Sequence, residues 1–415
     1  MPVTGAPRGV PLLGFGAFAM GMDAYVMTGL LAGIGRDLGV SLPRAGQCVT
    51  VFTLCYAVSA PLLSAALARL STRTVLVTAL LVFTAANAAA ALAGSYPVLL
   101  VSRAVAGVGA GLYSPTAATA AAALAGEDKR GRALAVVLGG MSGGTVLGVP
   151  LGLLLATDHG WRASMWLVTA LGAVACAGVA ARLPRVRPGA APTLRARLSG
   201  LARPGIAAVV VVTFLQGVAS LGSYTYLQPI LAAGGHTGNP TPYLWVWGIG
   251  GVCGSLLSGV VADRLGRPAV LSGVLLGLLG LALAVLPGCG ALPGLVLLPL
   301  AVWGATGWGF VVPQQHRLIR ADAQGGAAVA LNSSATYLGS SVGAALGGAA
   351  LAAGLGAGRL PLLAALVALA GLLLNLVSMR LPASPAAAGP NPADPAAPPK
   401  GTHCETRRES PELRP

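Results

Sequence analysis

The sequence predicts an all-α polytopic membrane protein of twelve transmembrane helices in two matching six-helix halves. Of its 415 residues, 55% are hydrophobic and only 9% are charged, whereas a soluble domain carries roughly 25% charged residues. Apolar runs of about 20 residues, each long enough to cross a hydrocarbon core of about 30 Å as a helix, recur along the chain. Nearly all the charge falls in the breaks between these runs, and one break midway is longer and more basic than the rest.

The first span is placed near 10 to 34, too long an apolar run for the core of a cleaved signal peptide. Five more, near 46 to 67, 74 to 94, 97 to 124, 132 to 156 and 162 to 182, complete a first half over residues 1–182. Residues 183–204 form an Arg/Pro-rich stretch without an apolar run, as expected of a basic cytoplasmic linker lying on anionic headgroups. Spans near 205 to 233, 241 to 262, 268 to 287, 291 to 315, 325 to 354 and 358 to 380 make the second half, residues 205–383. Residues 384–415 are rich in Ala and Pro and hold too few large apolar side chains to offset the entropy of ordering, so a disordered cytoplasmic tail is expected.

A formal net charge of +15 raises the question of nucleic acid, and the placement of the charge answers it against such a partner. With a cytoplasmic N-terminus, 21 of the 26 basic residues fall in inward segments and four, Arg36, Arg44, Arg162 and Arg359, in outward ones. This lysine and arginine bias fixes orientation, and it puts both termini in the cytoplasm. The remaining basic residue, Arg103, lies inside the fourth span. The six cysteines show no paired short spacing, so neither a disulfide framework nor a metal site is indicated. The acids are scattered, the histidines are His159, His236, His316 and His403, and no nucleotide-binding glycine loop is present. No catalytic constellation and no cofactor are expected.

An internal repeat supports the two halves. After the eighth span the chain reads GVVADRLGR, Gly259 to Arg267, and after the second it reads SAALARLST, Ser64 to Thr72. Ser64, Ala68 and Ser71 stand in the first copy where the second has Gly259, Asp263 and Gly266, while Arg69 matches Arg264 and Arg73 follows shortly after.

The second copy fits the G-x-x-A-D-R-x-G-R signature of the major facilitator superfamily, which the chain resembles from about Val10 to Arg380. Arg103 followed by Gly107 and Gly111 is similar to that family's fourth-span arginine motif. Gly139, Gly148, Pro150 and Gly152 in span five, leading into Gly160, Trp161 and Arg162, resemble the glycine and proline pattern of its exporters. Gly21 to Leu31 in span one is similar to a stretch that carries an acid in drug and sugar efflux members, and Leu331 to Gly348 resembles span eleven of the chloramphenicol-efflux and sugar-efflux-like members. The resemblance, to the twelve-span drug/proton antiporter branch, implies two rocking bundles around a substrate cavity at mid-membrane.

Asp23 is the one acid placed well within a span. Such a charge costs roughly 2.5 to 3.5 kcal/mol at the bilayer centre and needs a partner, a wet cavity or a proton. It is therefore either a proton carrier or an acid permanently paired with a donor. Arg103 keeps its charge and must be hydrogen-bonded; by resemblance it holds span one or tunes the nearby acid, and otherwise it clamps spans one and four together. The cytoplasmic set Gly259, Asp263, Arg264, Gly266 and Arg267, with Arg69 and Arg73 opposite, forms a gate by resemblance, or serves orientation alone. Gly140, Gly144, Gly148 and Gly152 repeat every four residues in span five, as do Gly339, Gly343 and Gly347 in span eleven. Small residues at this spacing let helix backbones approach, as a sliding seam or as fixed packing. Pro150 removes a backbone donor and is expected to bend span five.

Substrate contacts are sought among polar and aromatic residues inside spans: Tyr56, Tyr113, Gln216, Tyr224, Asn332 and Tyr337 lead, with Tyr25, Phe52, Tyr226, Gln228, Trp245 and Trp303 behind them. A pocket for amphipathic compounds combines aromatic walls with a few polar groups, but Tyr and Trp also anchor helices at membrane interfaces. The expectation is a monomeric, proton-coupled exporter of a small, partly apolar compound in the cytoplasmic membrane, its partners being substrate, protons and lipid. Sugar efflux, uptake, and a receptor or scaffold that does not transport are the alternatives. Asp23 and Arg103 assign the proton to the first half, and the intact loop assigns the gate to the second.

Overall fold

The computed structural model of the chain describes residues 9–67, 69–126, 129–184, 200–290, 293–321 and 326–380. Residues 185–199 of the expected linker, the expected 384–415 tail, and Ala68 of the first loop copy lie outside them. Among the described residues all regular structure is helical. Eleven of the helices are long and apolar enough to cross a bilayer. The helix Gly326–Ala352 is the remaining span, its 27 residues diluted by glycines, serines and Asn332.

Spans one to four are the helices Val10–Asp37, Leu42–Ala66, Thr72–Ala91 and Tyr96–Ala125. Span six is Trp161–Arg182, span eight Thr241–Leu265, span nine Pro268–Val285 and span twelve Leu360–Ser378. Consecutive spans alternate in direction, so residues 9 and 380 share one face of the molecule, here the terminal face, and the opposite one is the far face.

Three spans are interrupted, each just ahead of a proline. Span five joins Arg130–Gly143 and Val149–His159 through a π-helical turn, Gly144–Gly148. Pro150 offers no N–H to the Val146 carbonyl, and the wider turn absorbs the mismatch. Span seven, expected as one helix to 233, instead ends at Tyr224 and resumes as Leu227–Ala233. Pro229 lies four residues after Thr225, where its ring excludes regular helix. In the same way span ten divides at Phe310 into Pro293–Gly309 and Val311–Ala321, three residues ahead of Pro313. The second piece carries Arg317, which the sequence reading assigned to a cytoplasmic segment; it belongs to a span, so Arg103 is not alone.

The halves repeat one packing scheme. In the first, span one packs on five and six, two on four, and three on six; in the second, seven packs on eleven and twelve, eight on ten, and nine on twelve. Between the halves, span two lies along span eleven and span five meets span eight, the two contacts a twofold relation would interchange. The glycines make these approaches possible. A Cβ on Gly140 or Gly144 would strike the backbone of Gly14 or Phe18 in span one, and one on Gly148 or Gly152 would meet Met22. In span eleven Gly339 and Gly343 face Phe214 and Val218 of span seven, and Gly347 faces the Tyr226 ring. Both stripes thus join helices of one half, as fixed packing requires. Gly139 has open space around it and takes no part.

Candidate functional site

Asp23 lies midway along span one and is fully buried. Gly107 and Gly111 of span four admit the backbones of Phe52 and Tyr56 from span two, and this close approach sets Arg103 beside Asp23. Arg103 Nη1 donates to Asp23 Oδ1 at 2.6 Å and to Asn87 Oδ1 at 3.3 Å. Asn87 Nδ2 in turn reaches Asp23 Oδ2 at 3.5 Å and the Phe83 carbonyl at 3.0 Å. The guanidinium carbon sits 4.4 Å from the centroid of the Phe52 ring, a cation–π contact in a dry setting. Arg103 Nε, also buried, has no hydrogen-bond partner among the described residues. Spans one to four therefore close on one acid, one fixed cation and one amide. Asn87 and the role of the Phe52 ring are additions of the structure.

Two residues on, on nearly the opposite side of span one, Tyr25 leaves the first half and enters an aromatic cluster of the second. Its ring lies 5.6 Å from Tyr224, edge-on, 6.0 Å from Trp247 and 5.6 Å from Trp308. Tyr224 and Trp247 are 4.1 Å apart, and Trp247 Nε1 is buried without a hydrogen-bond partner among the described residues. A second inter-half contact is the stack of Tyr56 on Tyr337, centroids 3.8 Å apart. Toward the far face Ser341 Oγ donates to the Thr50 carbonyl at 2.9 Å. Tyr226 donates to the Ala344 carbonyl at 2.8 Å and presses its hydroxyl on Gly46. Apart from the Tyr226–Ala344 bond, which lies within the second half, these contacts join the halves from mid-height toward the far face.

At the terminal face two polar contacts of the described residues each stay within one half. Arg73 donates to the Ala180 carbonyl at the end of span six. Arg320 donates to the Gly266 carbonyl at 3.2 Å, where Gly266 closes span eight at a φ of 61°, in the left-handed region. Asp263, Arg264, Arg267 and Arg69 are exposed, and none of them forms an ion pair among the described residues. The side chains of the expected gate are near one another in sequence but are not assembled across the halves in this conformation.

Of the six leading substrate candidates, Tyr56, Tyr337 and Tyr224 meet at the seam between the halves. Tyr113 does not: it donates to the Leu13 carbonyl at 2.9 Å and packs on Gly16, tying spans one and four inside the first half. Gln216 donates to the Gly307 carbonyl at 3.1 Å, linking spans seven and ten. Asn332 is buried with Oδ1 unpartnered among the described residues. Among the secondary candidates Trp245 is 45% exposed on the outside of the bundle, whereas Trp247, two residues on, is fully buried.

A second cation, half-buried, organises the other half. Arg317 Nη1 donates to Asn375 Oδ1 at 2.7 Å and to Gln314 Oε1 at 3.3 Å, and its Nη2 donates to Ser378 Oγ at 2.8 Å. Gln314 Nε2 continues to Thr213 Oγ1 at 3.0 Å, and Ser272 Oγ donates to Gln314 Oε1 at 3.1 Å. This network joins spans seven, nine, ten and twelve through neutral acceptors only. No group of three or more His, Cys, Asp or Glu side chains able to hold a metal occurs among the described residues.

Comparison with known proteins agrees with this architecture. The sequence model of the Major Facilitator Superfamily matches residues 13–323. The inner membrane transport protein YdhP of Escherichia coli (strain K12) is 32% identical over 372 residues, 89% of this chain and 95% of that protein. The chloramphenicol resistance protein of Streptomyces lividans is 35% identical over 273 residues, 63% of this chain and 68% of that protein. The transcription regulatory protein OpdE of Pseudomonas aeruginosa is 31% identical over 356 residues, 83% and 88% of the two chains.

Proposed function

Because this chain belongs to the major facilitator superfamily, a family of multi-pass membrane transporters, we propose that it is a proton-coupled exporter of a small, partly apolar compound. An antibiotic or related secondary metabolite is the class of cargo. The observation that carries this reading is the sealed Asp23–Arg103 pair, with Asp23 two residues from Tyr25 of the inter-half aromatic seam. Protonating Asp23 removes half of a buried pair and strands a cation, a change that costs about 3 to 5 kcal/mol when a buried partner is lost. A proton can thus stay on Asp23 only if the surroundings of Arg103 also change, and that requirement is what couples proton to conformation.

The basic bias of the loops supports a cytoplasmic terminal face. In that orientation the conformation described is closed to the outside, and in the cycle we propose an ionised Asp23 awaits cargo arriving from the cytoplasm. Rocking opens the Tyr56–Tyr337 and Tyr25–Trp247 contacts, the compound leaves, and a proton reaches Asp23 from outside. The proton is released inward after return, one inward for each compound outward. One charge moved through about 100 mV supplies about 2.3 kcal/mol, which at about 1.4 kcal/mol per tenfold sustains a gradient of about fifty-fold. The relative named as a chloramphenicol resistance protein supports an antibiotic-like cargo.

In inverted membrane vesicles carrying the protein, adding chloramphenicol or another exported compound is expected to dissipate an imposed proton gradient. Asp23→Asn is expected to abolish that response while the protein remains inserted; coupling unchanged in the variant sinks the role of Asp23. The relative named as a transcription regulatory protein favours a second reading, a membrane receptor that does not transport. Gradient dissipation by no compound, with no compound tolerance conferred on cells, decides for that reading.

A further inference from the structure

The far face holds a cavity of about 730 Å³ between the halves, walled by the ends of spans one and five and by Gln228 and Thr241 of the second half. Its volume is that of a site for a small organic molecule. Two of the four arginines assigned to outward segments, Arg36 and Arg162, line it. Arginine is disfavoured on an outer face, so each needs a local reason to be there.

Arg162 has one. It pairs with Asp37 and donates to the Ala93 carbonyl at 2.8 Å, and Trp161 Nε1 adds a hydrogen bond to Asp37 at 3.1 Å. These contacts belong to the first half alone, and they neutralise the one acid in the cavity wall. Arg36 stands in the last turn of span one, where a cation suits the helix C-terminus, but its side chain is less engaged. Only its Nε is engaged, with the Ala32 carbonyl at 3.4 Å, and both terminal nitrogens of its fork have no partner among the described residues. The cavity therefore carries one forked cation with free terminal nitrogens beside apolar surface from Ala32 and Ala156, backed by the buried Leu30 and Leu153.

We propose that this outer cavity is a binding site for small organic anions, with the Arg36 fork taking a carboxylate and the apolar wall taking the body of the molecule. A planar fork matches two carboxylate oxygens at once, a geometry that gives both strength and selectivity. The site stands on charge and shape alone and does not depend on proton exchange at Asp23.

The test uses the full chain in nanodiscs of zwitterionic lipid, with benzoate, benzyl alcohol and benzylammonium as probes of equal size, read by calorimetry and by tryptophan emission. A charge-assisted hydrogen bond adds about 1.5 to 3 kcal/mol, so benzoate is expected to bind about ten-fold or more tightly than benzyl alcohol. Benzylammonium is expected to bind more weakly than either. Arg36→Gln should erase the preference and Arg36→Lys should keep part of it, and because Arg36 is exposed neither change threatens folding. Benzoate is expected to bind in nanodiscs, across which no proton gradient exists, which separates this site from the coupling step. Equal binding of benzoate and benzyl alcohol, or a preference that survives Arg36→Gln, overturns the proposal. Chloride or sulfate displacing benzoate as effectively as benzoate itself also overturns it, by showing an unspecific anion effect without an organic site.

Discussion

Arg103 Nη1 stands 2.6 Å from the Asp23 carboxylate with neither side chain more than 1% exposed, and the two residues come from helices 80 positions apart in the chain. The pair makes an energetic demand that can be measured without any substrate. Asp23→Asn leaves a guanidinium buried with no counter-charge, and such losses cost about 3 to 5 kcal/mol, whereas removing both charges together is often close to neutral. Thermal unfolding in detergent is expected to show a marked loss for Asp23→Asn and substantial recovery in the double variant Asp23→Asn/Arg103→Met. Gradient dissipation should be absent from both. A double variant no more stable than the single one contradicts the account of the pair as mutually compensating.

The second prediction concerns the seam. Ser341 Oγ donates to the Thr50 carbonyl at 2.9 Å across the halves, and the Tyr56–Tyr337 stack lies just below. Cysteines placed at 50 and 341, in a background from which the native cysteines are removed, are expected to cross-link under mild oxidation. If the halves must part here for cargo to leave, cross-linking stops transport and a reductant restores it. Full transport by the cross-linked protein, with linkage verified by gel shift, contradicts alternating access through this seam.

How much of this was legible beforehand depended on how rare each signal is inside a span. Asp23 and Arg103 stand out because charge is scarce in apolar helices, and their pairing follows from the cost of leaving either alone. Asn87 sits in an alanine run, AANAAAA, where a single neutral amide carries no periodic signal. Arg317 was hidden because the end of its helix, HRLIRA, is polar enough to read as a loop; its bonds to Asn375 and Ser378 are a tertiary fact. Trp245 and Trp247 are indistinguishable by composition, and only the helix phase, with Trp247 on the face of Gly250, Gly251 and Gly254, separates the lipid-facing ring from the buried one. The breaks at Thr225 and Phe310 were the most recoverable of the misses, since Pro229 and Pro313 each stand a few residues on.

Span five offers a contrast between neighbours. A methyl group on Gly140 meets the Gly14 backbone, which has nowhere to move, while one on Gly139 meets nothing within 4 Å. Overpacking of this kind costs typically about 1 to 3 kcal/mol. Gly140→Ala is therefore expected to lower the midpoint of thermal unfolding and Gly139→Ala to leave it unchanged or slightly raised, alanine being the better helix former. Equal effects from the two would mean that the stripe does not hold spans one and five together.

Arg317 supplies the last prediction, because its role is separable from that of its neighbour Arg320. Arg317 donates to Asn375 and Ser378 of span twelve and to Gln314, whereas Arg320 is exposed and holds only the Gly266 carbonyl. Arg317→Met leaves the oxygens of Asn375 and Ser378 short of a donor, at about 1 to 3 kcal/mol for each buried group left unsatisfied. Arg320→Met removes one exposed bond and costs little. Arg317→Lys, a point charge without the fork, cannot reach span twelve at two places and is expected to fall between the two. The readout is unfolding of the purified protein, together with proteolysis at the terminal face, where loosening of spans ten and twelve exposes the second half first. If Arg317→Met is as stable as Arg320→Met, the four-span network is incidental, and the second half is held by its apolar packing and glycine contacts alone.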